Sequence, residues 1–257
     1  MRFLGKTRLG FYPLPLSEAK RIRRFILFPD QPSSALDPCV GDGVAFEAIT
    51  SDAEVLRYGI ELDAYRAEQA RQRIPNIVQG NTLEVQCTVE SFGFLYSNPP
   101  YDWTLGPADS PRTEQAFLSH TYRWLKPGGI LLYVIPGDRL AECSQILSTH
   151  FRDVRVYRLE SPECVRYKQV VIIGARRSRR EKERLTNSDI TRARLYYASL
   201  ARNPDSAKHI ARNIDNQMAN WKVIALVNGQ IEAVSGPATA DRPGAQEWIV
   251  WQGPAAD

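Results

Sequence analysis

Four consecutive residues, Asn98-Pro99-Pro100-Tyr101, directly after the apolar run 92–97, form the set an enzyme needs to methylate an uncharged amino nitrogen. An exocyclic amine of adenine, like a side-chain amide, is a poor nucleophile because its lone pair is delocalised into the neighbouring π system. An asparagine oxygen and the carbonyl of the following proline can accept its two N–H groups, push the nitrogen toward sp³ and aim the lone pair at a methyl donor. No general base is needed before transfer. Pro99 and Pro100 fix φ and carry no N–H, so the turn is stiff and its carbonyls stay presented. Tyr101 offers a flat face for stacking on a planar substrate. Alone, the tetrapeptide reads equally well as a Pro-Pro turn closing a strand, and the rest of the chain has to decide.

The elements that would position it come in a telling order. Residues 34–43 are a short apolar strand that runs through Asp37, Pro38 and Cys39 into a Gly41-Asp42-Gly43 turn, followed by the helix-like 44–49. A strand, glycine turn and helix let backbone approach a nucleotide-like ligand closely. A buried strand over 55–60 then ends in Glu61, placed to accept hydrogen bonds from ribose hydroxyls. A third strand, 76–79, leads into Gly80-Asn81-Thr82, where an adenine ring could be held by its edge.

Taken together, 37–43, Glu61, Gly80-Asn81, Asn98-Pro99-Pro100-Tyr101 and the later Leu125-Lys126-Pro127-Gly128-Gly129 resemble the class I S-adenosylmethionine-dependent methyltransferases. The closest resemblance is to the amino-methyltransferase branch that contains the adenine-N6 DNA and RNA enzymes, and it covers roughly residues 8 to 175. It implies an α/β fold, a Rossmann-like doubly wound sheet of seven strands with an antiparallel last strand. It also implies S-adenosylmethionine as cofactor, lying across the carboxyl ends of the first strands. Position by position, it assigns Tyr12 and Pro13 to an arm over the donor, and Asp37, Pro38, Cys39, Gly41 and Gly43 to the loop beneath the methionine moiety. Glu61 would take the ribose, Leu62 would pack on the adenine, and Asn81 and Thr82 would meet its edge. Many relatives carry Asp where this chain has Asn81. The amide oxygen can still accept from the adenine amino group, so a changed arrangement is expected there and not a lost site.

The remaining core alternates as a doubly wound sheet should. A helix is expected over 113–125 with Phe117, Tyr122, Trp124 and Leu125 as its apolar stripe, a buried strand over 130–135, and a helix over 139–150. Strands 154–158 and 169–174 should pair antiparallel. The Pro/Gly-interrupted stretch 102–112 reads as a loop. Its Trp103 either stacks against the target or packs on the neighbouring helix.

At 257 residues and 43% hydrophobic content, one domain over residues 1–177 plus an appendage over 178–257 is expected. No apolar run approaches a membrane span and the first residues do not resemble a secretory leader, which gives a cytoplasmic expectation. Cys39, Cys87, Cys143 and Cys164 are scattered, as are the three histidines, so neither a disulfide framework nor a metal is expected. The net charge of +4 is unevenly spread: residues 1–24 and 176–202 each carry +6, leaving −8 elsewhere. If the two basic segments fold to one side, Arg176, Arg177, Arg179 and Arg180 become a phosphate footprint on a substrate nucleic acid; otherwise 176–184 is a solvated linker. In the appendage, Ser188 could cap a helix presenting Ile190, Ala193, Tyr197 and Leu200, and Asn203-Pro204-Asp205 could open a second with Ala207, Ile210 and Met218 aligned. Such stripes serve most often to dock on the core or on another subunit. Residues 223–227 and 230–234 flank Asn228-Gly229 as a hairpin, with 248–251 as a further strand.

Three functions are therefore in play. The first is methyl transfer from S-adenosylmethionine to adenine N6 of DNA or RNA, with any duplex base flipped out. The second is the same chemistry on a protein glutamine amide. The third is a catalytically weak, donor-binding subunit that binds nucleic acid and depends on a partner.

Overall fold

Apolar runs bounded by glycine, proline and polar turns become the strands of one central sheet in the computed structural model, which describes residues 12–29, 31–101, 113–209, 222–227, 230–235 and 249–252. After the two-residue β1 (Ile26–Leu27), strands β2 (Ser33–Asp37), β3 (Val55–Glu61), β4 (Asn76–Gln79), β5 (Phe92–Ser97) and β6 (Leu125–Pro136) run parallel to one another. β7 (Phe151–Arg158) and β8 (Gln169–Arg176) close the sheet, with β8 antiparallel to both β6 and β7. The order is β4-β3-β2-β5-β6-β8-β7, the seven-stranded arrangement expected, and a two-residue β9 (Lys208–His209) adds an eighth at the edge.

The strands β5, β6 and β8 are buried on both faces, as crossover helices on each side require. Period-two alternation divides the core. Ile130, Leu132 and Val134 pack with Ile22, Phe46 and Ile49 from α1 (Leu16–Arg23) and α2 (Val44–Ile49). Leu131, Tyr133 and Ile135 face the other way, toward Leu118, Leu140, Leu147, Tyr197 and Leu200. In chain order α3 (Ala64–Arg71), α4 (Thr113–Thr121), α5 (Leu140–His150) and α6 (Pro162–Arg166) follow. The helix expected to reach 125 stops at Thr121. One 3₁₀ turn over Tyr122–Trp124 follows, because Leu125 is already paired with Phe92 in the sheet.

The basic stretch takes up regular structure. Arg176 completes β8, and Ser178 and Glu181 form a capping box for α7 (Arg179–Glu183). A second capping box, Thr186 with Asp189, opens α8 (Asn187–Arg202), two residues before the Ser188 cap expected. α8 lies along α5 and buries Tyr197 and Leu200 in the core. Asn203-Pro204 opens only a 3₁₀ turn over Pro204–Ser206, because the chain then pairs with β7 as β9; residues 210–218 of the expected helix lie outside the described residues. The hairpin forms as β10 (Lys222–Val227) and β11 (Gln230–Ser235), and β12 (Ile249–Gln252) joins β10 to β1.

One buried carboxylate fastens α1 to the turn that leaves β7. Glu18 Oε1 accepts from the Ser161 N–H at 2.6 Å, the Ser161 hydroxyl at 2.8 Å, the Glu160 N–H at 3.1 Å and the Arg21 guanidinium at 2.6 Å. Glu18 itself is fully buried. Glu18→Ala should strand those donors and cost about 3 kcal/mol, read as a lower urea midpoint with an unchanged m-value.

Candidate functional site

At the carboxyl ends of β2, β3, β4 and β5 the chain leaves the sheet in four loops that border an open cleft. Such a crevice at strand ends is where open α/β sheets hold ligands. Its lining includes Tyr12, Pro13, Asp37, Pro38, Cys39, Glu61, Leu62, Asn81, Thr82, Asn98 and Pro100, which gathers residues from five separate stretches of the chain.

The floor is the loop after β2. Gly41 and Gly43 sit at φ +59° and +81°, a region other residues reach only with strain. Glu61 secures this loop. Its Oε2 accepts the Gly41 N–H at 3.0 Å, and its Oε1 accepts the Asp63 N–H at 2.9 Å and two bonds from Arg66, at 3.0 and 2.7 Å. Oε2 so keeps acceptor capacity for a hydroxyl. Asp37 is buried beside it, and that burial pushes its carboxyl up to about 8, against the pull of the Cys39 N–H at 3.0 Å. The Cys39 thiol lies 3.4 Å from the Ser97 hydroxyl and is also raised by burial.

Leu62, 53% exposed, presents an apolar face in the cleft, where a purine could lie. The two neighbours expected at a purine edge are engaged within the protein. Thr82 is buried and donates its hydroxyl to the Pro38 carbonyl, tying the β4 loop to the β2 loop. Asn81 folds its side chain locally, accepting the Leu83 N–H at 3.1 Å and donating to Glu84 at 2.9 Å.

Asn98 stands at the tip of β5 with both ends of its amide occupied. Nδ2 donates to the Tyr12 carbonyl at 2.7 Å, and Oδ1 accepts from the Tyr101 hydroxyl at 2.8 Å. Oδ1 retains one further lone pair for a substrate N–H. Tyr101 is 4% exposed and its ring stacks on Tyr12, centroids 5.4 Å apart and 15° from parallel, so the face expected to meet a base is covered by the arm. Pro99 is buried and Pro100 half-buried, as a stiff turn between strand and wall requires. Trp103 lies outside the described residues.

The arginines expected to meet phosphate separate. Arg176 is buried, donating to the Leu125 carbonyl, to the Arg123 carbonyl at 3.1 Å and to Glu90 at 3.1 Å. It cannot be a surface contact, because it closes the start of β6 from below. β8 is antiparallel, with Gln169 opposite Pro136 and Ala175 opposite Ile130, so Arg176, Arg177, Arg179 and Arg180 lie at the sheet end remote from Asn98. Arg179 pairs with Glu183 at 2.9 Å and Arg180 is exposed. Sequence reading missed Arg66, although its place three residues after the capping Asp63 could have marked it as facing back to Glu61. It also missed Gln169, which nothing local distinguishes. Among the described residues no group of three His, Cys, Asp or Glu could hold a metal ion, and no helix is long and apolar enough to cross a membrane.

S-adenosylmethionine fits these groups: hydroxyl acceptors on Glu61, an apolar platform on Leu62, and an acid at Asp37 to face an ammonium. Glu61→Ala should weaken calorimetric binding of S-adenosylhomocysteine by about tenfold or more, the scale of hydrogen bonds to a charged group. An ammonium stabilises the ionised form of Asp37, so affinity should fall as pH drops from 8.5 to 6.5, and Asp37→Asn should bind weakly without that slope. In the free protein the sign is opposite. A raised carboxyl stabilises the fold while neutral, fully below its unfolded value of about 3.9, and that contribution is lost as pH rises through about 8. Asp37→Asn should therefore melt above the wild type at pH 9 and level with it at pH 4.

No curated protein matches the sequence. Among solved structures, the methyltransferase subunit of a type I restriction-modification system from Streptococcus thermophilus aligns with a TM-score of 0.52 at 17% identity, over 80% of this chain and 57% of that one. A Listeria monocytogenes protein assigned to the class I S-adenosylmethionine-dependent methyltransferases gives 0.51 at 15% identity, over 63% and 59%. The chain thus spans less than two thirds of either relative, and at these identities the likeness establishes the fold. The sequence itself is matched over residues 1–202 by one family model, so the chain belongs to the Uncharacterised methyltransferase family (DUF6094).

Proposed function

We propose that this protein transfers the methyl group of S-adenosylmethionine to an exocyclic amino nitrogen, with adenine N6 of DNA or RNA as the leading substrate. The observation that carries the reading is Asn98: an amide oxygen fixed at the tip of β5, in the same cleft as Asp37 and Glu61. When bound, the cofactor supplies an electrophilic methyl carbon on a sulfonium. The chain's part is to orient the acceptor. Asn98 Oδ1 and the Pro99 carbonyl accept the two N–H groups of the amine, withdraw its lone pair from the ring and direct it at the methyl carbon. The donor would be held by Asp37, Glu61 and Leu62, and an N–C bond formed as its S–C bond breaks would leave the nitrogen to release a proton to solvent. Positive charge would build on the amine as the N–C bond forms, and two oxygens accepting its N–H groups stabilise that charge without a base.

Nucleic acid is favoured by the resemblance to the adenine-N6 branch, and the likeness to a restriction-modification subunit agrees with it. A specific observation keeps the glutamine-amide reading beside it: Tyr101, the stacking platform for a base, is covered by Tyr12, and a primary amide needs no such platform. Dependence on a partner subunit would be met by either substrate.

Incubation with methyl-labelled donor and, separately, DNA, total RNA and a cell-protein extract assigns the class by which polymer takes up label. Asn98→Ala should keep donor affinity and lower turnover by about a hundredfold or more, the scale of losing one transition-state contact. Unchanged turnover would remove Asn98 from the reaction.

A further inference from the structure

We propose that Gln169 is a positioning residue for this reaction, acting through the Tyr101 hydroxyl to fix which end of the Asn98 amide faces the substrate. The inference rests on the reading of Asn98 as the acceptor of the amine. An asparagine amide is nearly symmetric in shape, and only its oxygen can receive a substrate N–H; turned by 180° it would meet the amine donor to donor. Something must therefore distinguish its two ends.

The structure supplies a chain of hydrogen bonds that does so. Gln169 begins β8, is 3% exposed and donates its side-chain amide to the Tyr101 hydroxyl oxygen. With that oxygen already accepting, the single hydroxyl proton goes to Asn98 Oδ1 at 2.8 Å. The other end of the amide faces the Tyr12 carbonyl at 2.7 Å, which only an N–H can satisfy. A flipped Asn98 would set two oxygens against each other at Tyr12 and leave the Tyr101 proton without an acceptor. Both intermediate groups are buried, so water does not compete, and burial raises the Tyr101 hydroxyl further above its ordinary value and keeps it a donor throughout the working pH range. Tyr101 so becomes a bracket for Asn98. Its ring, stacked on Tyr12, in turn holds the arm, whose Tyr12 ring also meets Tyr167 edge-on at 4.9 Å.

The test compares Gln169→Leu, Tyr101→Phe and the double variant with wild type and Asn98→Ala. Turnover is measured on whichever polymer takes up label, and donor affinity by calorimetry. Both single variants should lose about a hundredfold in kcat, the scale of a displaced catalytic group, with donor affinity within about twofold. The double should lose no more than the worse single, because both act through one chain of bonds. Wild-type kcat in either single variant, or losses that multiply in the double, would overturn the proposal. Tyr101→Phe keeps the ring and decides the matter should Gln169→Leu fail to fold. A second readout is independent of turnover: with ¹⁵N-asparagine labelling, the side-chain amide pair of Asn98, assigned by its absence in Asn98→Ala, should shift and lose exchange protection in both variants. An unmoved signal overturns the bracket. Full activity in Asn98→Ala sinks the reading of the reaction instead, and leaves the spectrum to judge the bracket by itself.

Discussion

Glu61 is the carboxylate on which the cleft depends. It holds the glycine loop after β2 through the Gly41 N–H, the start of α3 through the Asp63 N–H, and the Arg66 guanidinium, all from the tip of β3. A carboxylate that is 5% exposed must be neutralised and hydrogen bonded, and the surrounding segments supply both. The loop it secures has no slack. A Cβ on Gly59, just before this tip, would come within 2.7 Å of Ile77 and 2.9 Å of Val40. The left-handed turns at Gly41 and Gly43 then carry the backbone into α2. Sheet, loop and helix are set by one acidic residue.

Around that point the cleft is built from neutral polar groups more than from charges. Burial favours the protonated forms of Asp37, Cys39 and Tyr101, Thr82 is turned to a carbonyl, and Asn98 is bonded at both ends. The Asn98 oxygen accepts from a phenol, a group that orients and does not abstract, while Asp37, raised to about 8, sits on the loop after β2.

Much of this was legible in the sequence because it is local. Alternation of apolar strand and polar turn gives the seven strands, and the residues that end them, Asp37, Glu61 and Asn98, fall at strand tips as the doubly wound fold dictates. The rest depended on pairings between distant segments. Gln169 reaches Tyr101 only because β8 turns back antiparallel beside β6, and the same reversal carries the arginines after it away from the cleft. Arg176 reads as surface charge in a basic run, yet three groups that only the folded sheet brings together draw it inside. The 3₁₀ turn at Pro204 has the same origin, since the cap-and-proline signal is local while the pull of β7 on Lys208–His209 is not.

The strand β8 joins these observations in a further way. It lies between β6 and β7, is hydrogen bonded along both margins, and is pinned at its first residue to Tyr101 and at its last to Glu90 and the Leu125 carbonyl. Seven residue steps at roughly 3.3 Å separate the pins, a rigid spacer of about 23 Å. A strand so fastened cannot slip by one position without turning every side chain to the opposite face. Its amides are then placed to be among the slowest to trade hydrogen for deuterium, opening only when the whole molecule does. Fraying would begin elsewhere in the chain, and the half of the cleft wall that carries Asn98 would keep its shape longest.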